Sequence, residues 1–214
     1  MARRRMLLSA VLVFAIAGPL AAQGTRDWQY RWFWGGKAGM LGYDLPTAGT
    51  VFVPQFGGEW LITARRTALY LGFSQSLTAE QDSFALSGVQ GNQQVAFDRY
   101  RRIQIGIVAI IGDGHLQWYA GGGFAIHTLV NARNTGTTTS AAIDNAIANA
   151  SSVGVAMVMG GVQLRFGRQM ALYGHFQGTP GTQDFLLAGA SSSIEAGIRM
   201  NLLPAREDDM TVRR

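Results

Sequence analysis

Apolar and polar side chains alternate along this chain in short segments of about ten residues, and this alternation constrains the fold more than any other feature. The clearest segment runs from Arg102 to Ile111. One side of an extended strand there carries Ile103, Ile105, Ile107, Ala109 and Ile111, and the other carries Arg102, Gln104 and Gly106. Because a small and polar face recurs in segment after segment, we interpret it as the inside of a transmembrane β-barrel, with the apolar face outside.

The N-terminus has the three parts of an export signal. Arg3–Arg5 are basic, Met6–Ala17 are apolar, and Gly18–Ala22 form an exit of mostly small residues. The apolar run is shorter than the roughly 20 residues that a spanning helix needs, which disfavours a retained anchor. We predict a cleaved signal peptide at residues 1–22, a barrel domain at 23–203 and a short polar periplasmic tail at 204–214.

Composition supports strands rather than helices as the membrane-crossing elements. Hydrophobic residues make up 48% of the chain and charged residues 14%, whereas ordinary soluble domains are about 25% charged. After the leader, Gly, Gln, Arg or Ser interrupts every apolar run, so no helical span is predicted. Three of the 18 basic residues lie in the leader, which leaves 15 basic against 13 acidic residues. The sequence has no basic stripe with interleaved aromatic residues, so nucleic-acid binding is not predicted.

Eight strands are predicted, with connections that alternate in length. They lie at about residues 30–43, 51–63, 67–75, 102–111, 116–127, 158–166, 170–177 and 194–202. The longer connections cover 44–50, 76–94, 131–152 (with a short helix at 141–149) and 178–184, and the others are tight turns. Outer-membrane barrels have an even strand count, short periplasmic turns and longer external loops. The prediction is an all-β, eight-stranded antiparallel up-and-down transmembrane β-barrel; the alternative is a soluble barrel of the lipocalin type.

From Tyr30 to Leu203 the chain resembles the small eight-stranded outer-membrane barrels, the group that includes OmpX and the membrane domain of OmpA. The most specific match is the polar-x-Gly-x-x-hydrophobic-x-hydrophobic signal of the last strand, in Glu195, Gly197, Met200 and Leu202. Here Leu202 replaces the final aromatic residue. The resemblance implies an outer-membrane location in a Gram-negative-type bacterium, surrounding outer-membrane lipid, and the barrel-assembly machinery as a partner during biogenesis.

The inward register carries charged side chains. They are Lys37, Glu59, Arg102, Arg165, Glu195 and Arg199. An eight-stranded interior is just wide enough for side chains to fill, and charges inside it must pair or be hydrated. We therefore predict a closed, ion-paired lumen, with Lys37 and Glu59 paired across the first hairpin and Tyr70 near the same carboxylate. The alternative is a small gated pore or transporter, because ion pairs can exchange partners.

Aromatic residues near strand ends predict a girdle at the membrane interface. They are Tyr30, Trp32, Trp34, Trp60, Trp118 and Phe166. The three histidines, His115, His127 and His175, lack metal-ligand spacing, and no catalytic constellation accompanies them. No catalytic residue, metal or cofactor is predicted, although a lipid A-modifying enzyme stays a minor alternative. The favoured function is a structural or surface-interaction barrel, monomeric, with loops 76–94 and 131–152 as contact sites for an external ligand that the sequence does not identify.

Overall fold

The computed structural model describes residues 31–64, 66–112, 114–166 and 169–203. The predicted signal peptide, the predicted tail and Tyr30 lie outside the described residues. The elements, in chain order, are β1 (Arg31–Leu45), β2 (Gly49–Ala64), β3 (Thr67–Ser76), β4 (Glu80–Ala85), β5 (Asn92–Phe97), β6 (Arg99–Ile111), β7 (Leu116–Val130), β8 (Arg133–Asn134), α1 (Ala141–Ala150), β9 (Ser152–Phe166), β10 (Met170–Thr179) and β11 (Ser191–Leu203).

In the described part of the chain, eight of these strands close into an antiparallel barrel. Going round it, the order is β1, β2, β3, β6, β7, β9, β10 and β11, so each strand pairs with its neighbours along the chain. The barrel closes where β11 pairs with β1, with Trp34 opposite Met200 and Met40 opposite Ile194. This confirms the predicted fold class, since an up-and-down barrel closes by pairing its last strand with its first. No helix among the described residues is both long and apolar enough to cross a membrane.

The period-two pattern determines which face of each strand points into the barrel. Ile105 and Ile107 on β6 are 50% and 64% exposed on the outer surface, whereas Arg102 and Gln104 are buried inside. Glycines on the inner face let the strands lie close together. A Cβ added at Gly121 would collide with the backbone carbonyl of Ile107 on the neighbouring strand. The inward glycines are therefore a steric requirement of a narrow lumen.

The two ends of the barrel differ in their connections. β2–β3, β6–β7 and β9–β10 are joined by short turns, and the opposite end carries segments 77–98, 131–151 and 180–190. The first connection is shorter than predicted: the strands run on to Leu45 and from Gly49, which leaves only 46–48 between them. Asp44 and Thr50, which the sequence placed in the loop, form a cross-strand pair with a 2.6 Å side-chain hydrogen bond. Gly49, at φ +74°, makes the tight turn possible.

The long connections fold into a structured layer over one mouth of the barrel, which we name the external cap (residues 77–98, 131–151 and 180–190). In the described residues β4, β5 and β8 form a three-stranded antiparallel sheet. The predicted helix is confirmed as α1, and its N-cap Ser140 accepts a hydrogen bond from the Ile143 backbone N–H. The sequence interpretation of 76–94 as a plain loop was wrong, because its residues form most of the β4–β5 hairpin.

Two apolar clusters lie inside the molecule. The first joins the cap to the rim of the barrel and contains Leu41, Tyr43, Leu45, Val53, Phe84, Leu86, Val95, Phe97, Tyr100, Leu129, Ile143, Ile147, Phe185, Leu186 and Leu187. The second lies within the barrel and includes Phe33, Leu61, Val108, Ile110, Met157 and Met159. The inner face is therefore less polar than the alternation suggested, because a narrow interior must be filled by side chains of whatever polarity fits.

Candidate functional site: the buried charge network

Glu195 on β11 is the centre of a buried network in the lumen. One carboxylate oxygen, Oε1, accepts from Arg102 at 2.8 Å and from the Gln55 amide at 2.7 Å. The other, Oε2, lies 2.7 Å from Lys37 Nζ and 2.8 Å from His175 Nε2. Glu195 is 1% exposed, so these four partners replace water around the charge. A carboxylate that is satisfied on both oxygens fixes the positions of four other strands relative to β11.

The cations around Glu195 are held by further polar groups. Lys37 donates to the Tyr70 hydroxyl at 2.9 Å and to Gln104 Oε1 at 3.3 Å. Arg102 donates to Gln55 Oε1 at 2.9 Å and to the Ser193 hydroxyl at 3.0 Å. Each cation therefore has several acceptors, as a charge removed from water requires.

Glutamine side chains extend this network across the lumen. Gln104 donates to Gln177 Oε1 at 2.8 Å, and Gln177 donates to the Tyr70 hydroxyl at 3.0 Å. An amide carries both donors and an acceptor, so it can link a cation to a hydroxyl without adding charge. The network is therefore larger than its charged members.

A second cluster surrounds Arg199, on the same strand as Glu195. Arg199 forms an ion pair with Glu59 through Nε and donates to Gln163 Oε1 at 2.9 Å. Its guanidinium carbon lies 3.8 Å from the ring centroid of Tyr173, a cation–π contact. Tyr119 joins the two clusters: its hydroxyl accepts from Arg199 at 3.4 Å and lies 3.0 Å from His175 Nδ1.

The structure places most of the predicted lumen residues in these clusters but pairs them differently. Lys37 and Glu59 are both buried on the inner face, but the register sets Glu59 opposite Gly35 and Lys37 opposite Gly57. The predicted Lys37–Glu59 pair is wrong: Lys37 pairs with Glu195, and Glu59 with Arg199. Tyr70 contacts the Lys37 ammonium. Both pairs that form involve β11: Lys37 meets Glu195 on the strand paired directly with β1, and Glu59 meets Arg199 over Gly35 of the intervening β1. Counting residues within the first hairpin does not include β11.

Arg165 is half-buried at the short-turn end of β9, opposite Ala171 of β10, which on its other side lies opposite Arg199. Its backbone N–H donates to the His115 carbonyl at 2.7 Å. The predicted charge network did not include Gln55, Gln104, Gln177 and His175, although all are buried and belong to the hydrogen-bonded network around Glu195. The sequence signal that could have identified them is their position, since each falls on the inward register of its strand.

Of the aromatic residues predicted as a girdle, Tyr30 lies outside the described residues and the other five lie on the outer surface. Trp34 and Trp60 stack at 5.1 Å between ring centroids, and Trp32 meets Trp60 edge-on at 5.3 Å. Trp118 and Phe166 are 60% and 54% exposed. All of these residues lie toward the short-turn end of their strands. Indole rings with one polar edge suit a boundary between hydrocarbon and water.

A polar clamp in the external cap joins two of its segments. Asp98 accepts from Arg133 at 2.8 Å and from the Asn131 amide at 2.7 Å. These hydrogen bonds, that from Arg133 first, lower the pKa of the Asp98 carboxyl below its ordinary value. Asn131 has φ +56°, a conformation that asparagine tolerates better than most residues. The clamp holds the start of the 131–151 segment against the start of β6.

The site offers no arrangement for a metal ion in the part of the chain that the structure describes, where no group of three or more His, Asp or Glu side chains converges for one. Of the three histidines, His127 and His175 are buried, and His115 is exposed at a short turn. The chemistry available is therefore ion pairing and hydrogen bonding between strands.

No protein-family model matches this chain, and no curated protein gives a match to it. In fold it is similar to Neisserial surface protein A, with a TM-score of 0.56 at 10% identity over 79% of this chain and 96% of that one. It is also similar to Ail, the attachment invasion locus protein of Yersinia pestis, solved in complex with the heparin analogue sucrose octasulfate. That likeness has a TM-score of 0.51 at 10% identity over 80% of this chain and 98% of the other. At such identity the likeness concerns the fold alone.

Proposed function

We propose that this chain is an integral outer-membrane barrel whose external cap is a contact surface and whose lumen is closed. The observation that carries the proposal is the belt of large apolar side chains on the outer surface of a barrel that buries its charges inside. Members of the belt include Phe56, Ile103, Ile105, Ile107, Trp118, Phe124, Ile126, Val158, Phe176, Ile194 and Ile198. Such a surface is unfavourable in water and favourable in lipid, where a closed barrel also leaves no strand edge unpaired.

The orientation follows from the connections. Longer loops face the outside of outer-membrane barrels, so the external cap faces the medium and the short turns face the periplasm. Export through a signal peptide at residues 1–22 and a polar periplasmic tail at 204–214 fit this arrangement. The barrel-assembly machinery is the proposed partner during insertion, and the inserted barrel is proposed to be a monomer surrounded by lipid.

The filled interior of the barrel supports the proposal that the lumen is closed. The cap cluster covers one mouth, the Glu195 and Arg199 clusters cross the middle, and apolar side chains such as Met157 and Met159 fill further space. We expect no stepwise conductance from the refolded protein in planar bilayers. Discrete openings would instead support the gated-pore alternative.

The role proposed for the external cap is contact with a partner that is not a polyanion. Asp44, Glu80, Asp98, Asp144 and Asp184 contribute carboxylates to the cap and its rim, against the guanidinium groups of Arg99, Arg101 and Arg133. Like charges across an interface disfavour binding. Although Ail was solved with a heparin analogue, we expect sucrose octasulfate to bind this cap weakly or not at all in calorimetry. Tight binding would contradict this choice of partner.

A lipid A-modifying activity is not proposed. A Ser–His–acid site for a membrane lipid belongs at the external rim, facing the lipid. His127 lies beneath the cap against Tyr100, and His115 lies at a short turn. We expect the lipid A mass profile of cells that overproduce the chain to stay unchanged.

The membrane proposal is tested by cell fractionation combined with gel mobility before and after boiling. We expect the chain in the outer-membrane fraction and a folded form that migrates differently from the boiled one. Recovery from the periplasmic soluble fraction, without detergent, would support the lipocalin-type alternative. A Gly57→Val variant is the matched control: its added side chain would collide with the Phe73 carbonyl, so it should be produced but give only the boiled mobility.

A further inference from the structure

Among the described residues, the buried polar atoms without a hydrogen-bond partner include Arg102 Nε and His127 Nε2, just beneath the external cap. Their side chains are 2% and 3% exposed. Arg102 on β6 lies directly opposite His127 on β7, and both point inward. Side chains directly opposite each other on one face of a sheet are nearest neighbours, so the two atoms belong to the same cross-section of the lumen.

The remaining contacts of these residues hold both side chains in place. The Arg102 guanidinium is bound through its terminal nitrogen to Glu195, Gln55 and Ser193. His127 Nδ1 lies 2.7 Å from the Tyr100 hydroxyl. When Tyr100 donates that hydrogen bond, the imidazole proton is on Nε2, so Arg102 Nε and His127 Nε2 are both N–H donors. A buried donor without an acceptor is unfavourable, so this section of the lumen lacks an acceptor.

The charges in the lumen indicate what kind of acceptor is missing. Among the described residues, the buried ionised groups on the barrel strands are three cations, Lys37, Arg102 and Arg199, and two anions, Glu59 and Glu195. Arg199 is balanced by Glu59, whereas the single carboxylate of Glu195 faces both Lys37 and Arg102. An excess positive charge in an interior of low dielectric constant favours a counter-ion beside it.

Aromatic rings close this section on the cap side. The Phe185 ring lies 6.0 Å from the His127 ring and 5.9 Å from the Tyr100 ring, measured between centroids. Phe185 belongs to the apolar cluster that joins the cap to the barrel. A group bound between Arg102 and His127 is therefore shielded from the medium, where its attraction to a cation is less screened.

We propose that the lumen binds one small monovalent anion, such as chloride, between Arg102 Nε–H and His127 Nε2–H beneath the external cap. Two unpartnered N–H donors on directly opposite residues, with a net positive charge around them, suit an acceptor that carries negative charge. A water molecule would satisfy the donors but leave the charge unbalanced. This site lies outside the proposed contact function of the cap and does not depend on it.

Anomalous scattering tests the site directly. The refolded wild-type barrel is crystallised from bromide in place of chloride, and the anomalous map is inspected between Arg102 and His127. We expect a bromide peak at that position. Density without an anomalous signal would identify water and overturn the proposal. Water is the occupant expected if the Lys37 amine is uncharged, because the charge imbalance is then absent.

Stability in different anions tests the site in solution. At constant ionic strength, chloride is replaced by gluconate, which is too large for the site, and unfolding is followed in detergent micelles. Raising chloride from its dissociation constant to a hundred times that value should increase the folded-to-unfolded ratio about 50-fold for one site. The His127→Phe variant should lose this dependence. Tyr100→Phe removes the same Tyr100–His127 hydrogen bond but keeps Nε2, so it should retain most of it.

Equal chloride dependence of the wild type and His127→Phe would place the anion effect elsewhere and contradict the proposal. If His127→Phe does not fold, the bromide map of the wild type still decides, because it needs no variant.

Discussion

The external cap and the middle of the barrel beneath it bury different kinds of side chain. The cap packs Leu, Ile, Val and Phe side chains inside and, apart from the buried Asp82, leaves its carboxylates at least partly outside, as a water-soluble domain does. The barrel surrounds charged clusters and glutamines with an outer surface of Ile, Phe, Trp and Met. Since one chain forms both layers, the difference fits the surroundings proposed for each, water around the cap and lipid around the barrel.

The inversion happens within single strands and, in the proposed orientation, marks the external membrane surface. On β1 the inward side changes from Lys37 to Leu41 and Tyr43, while the outward side changes from Met40 to Asp44. On β6 the inward residue changes from Arg102 to Tyr100 while the outward residue changes from Ile103 to Arg101. Two strands that are not neighbours therefore change polarity in the same direction toward the cap. The boundary is a property of depth and not of one strand's sequence.

The largest expected effect is in the barrel, at Glu195. Glu195→Gln keeps the size of the side chain but leaves Lys37 and Arg102 without their shared carboxylate. Breaking a buried ion pair from one side costs about 3–5 kcal/mol, so the free energy of unfolding should fall by that amount. Urea titration of the folded, heat-modifiable form in lipid vesicles measures it.

Glu59→Gln is the matched control, because it leaves only Arg199 unpaired, and Arg199 keeps Gln163, Tyr119 and the Tyr173 ring. Its loss should be smaller. Equal losses for both variants would mean that Glu195 is no more central than Glu59.

A core substitution in the cap should act locally. Ile147 on α1 is 2% exposed, and Ile147→Ala should destabilise its surroundings by about 2–5 kcal/mol through lost contacts and a cavity. We expect faster protease cleavage within 131–151 but unchanged heat-modifiable mobility, because the barrel does not need the cap core. Asn145→Ala, at an exposed position of the same helix, is the control. Loss of the folded band in Ile147→Ala alone would show that the cap and barrel unfold as one unit.

A charge on the outer belt tests the lipid side of the comparison. Ile105→Arg places a guanidinium near the middle of the belt, where such a change costs about 2–4 kcal/mol in a lipid bilayer. Thr128→Arg, on the outer face near the cap, lies at the membrane boundary, where the penalty falls to about 0–1 kcal/mol. Refolding titrations in vesicles compare the two. If both variants are tolerated equally, the apolar belt does not face lipid.

The smallest expected effect is a pH dependence of the Asp98 clamp. The pKa of Asp98 is lowered by hydrogen bonds from Arg133 and Asn131, so its stabilising contribution is complete above the ordinary carboxyl pKa. That contribution is lost as the pH falls through the lowered pKa of the folded protein. Backbone NMR signals of 131–134 should therefore shift only in acid, and Asp98→Asn should remove that transition. A transition that persists in Asp98→Asn would belong to another group.

Much of the barrel could be predicted because its determinants are local. Alternation assigns each side chain to a face, so the inward placement of Lys37, Glu59, Arg102, Glu195 and Arg199 follows from position alone. Helix α1 was predictable from two isoleucines four residues apart. The strands β4 and β5 were missed because their segment is polar and their apolar residues, such as Phe84 and Val95, are few. The two segments form strands because they pair with each other and cover the apolar cluster of the cap.

The sequence by itself determined the fold class, the closing pair of strands, the two faces of each strand and the end that bears the long segments, because periodicity and turn chemistry act between near neighbours. Only the tertiary structure decided which charges meet. Lys37 joins Glu195 rather than Glu59, and Arg199 takes Glu59, because closing the barrel sets β11 directly beside β1 and one strand away from β2. The stagger of the strands sets the height of each charged side chain along the barrel axis. That stagger is fixed only when all eight described barrel strands have closed.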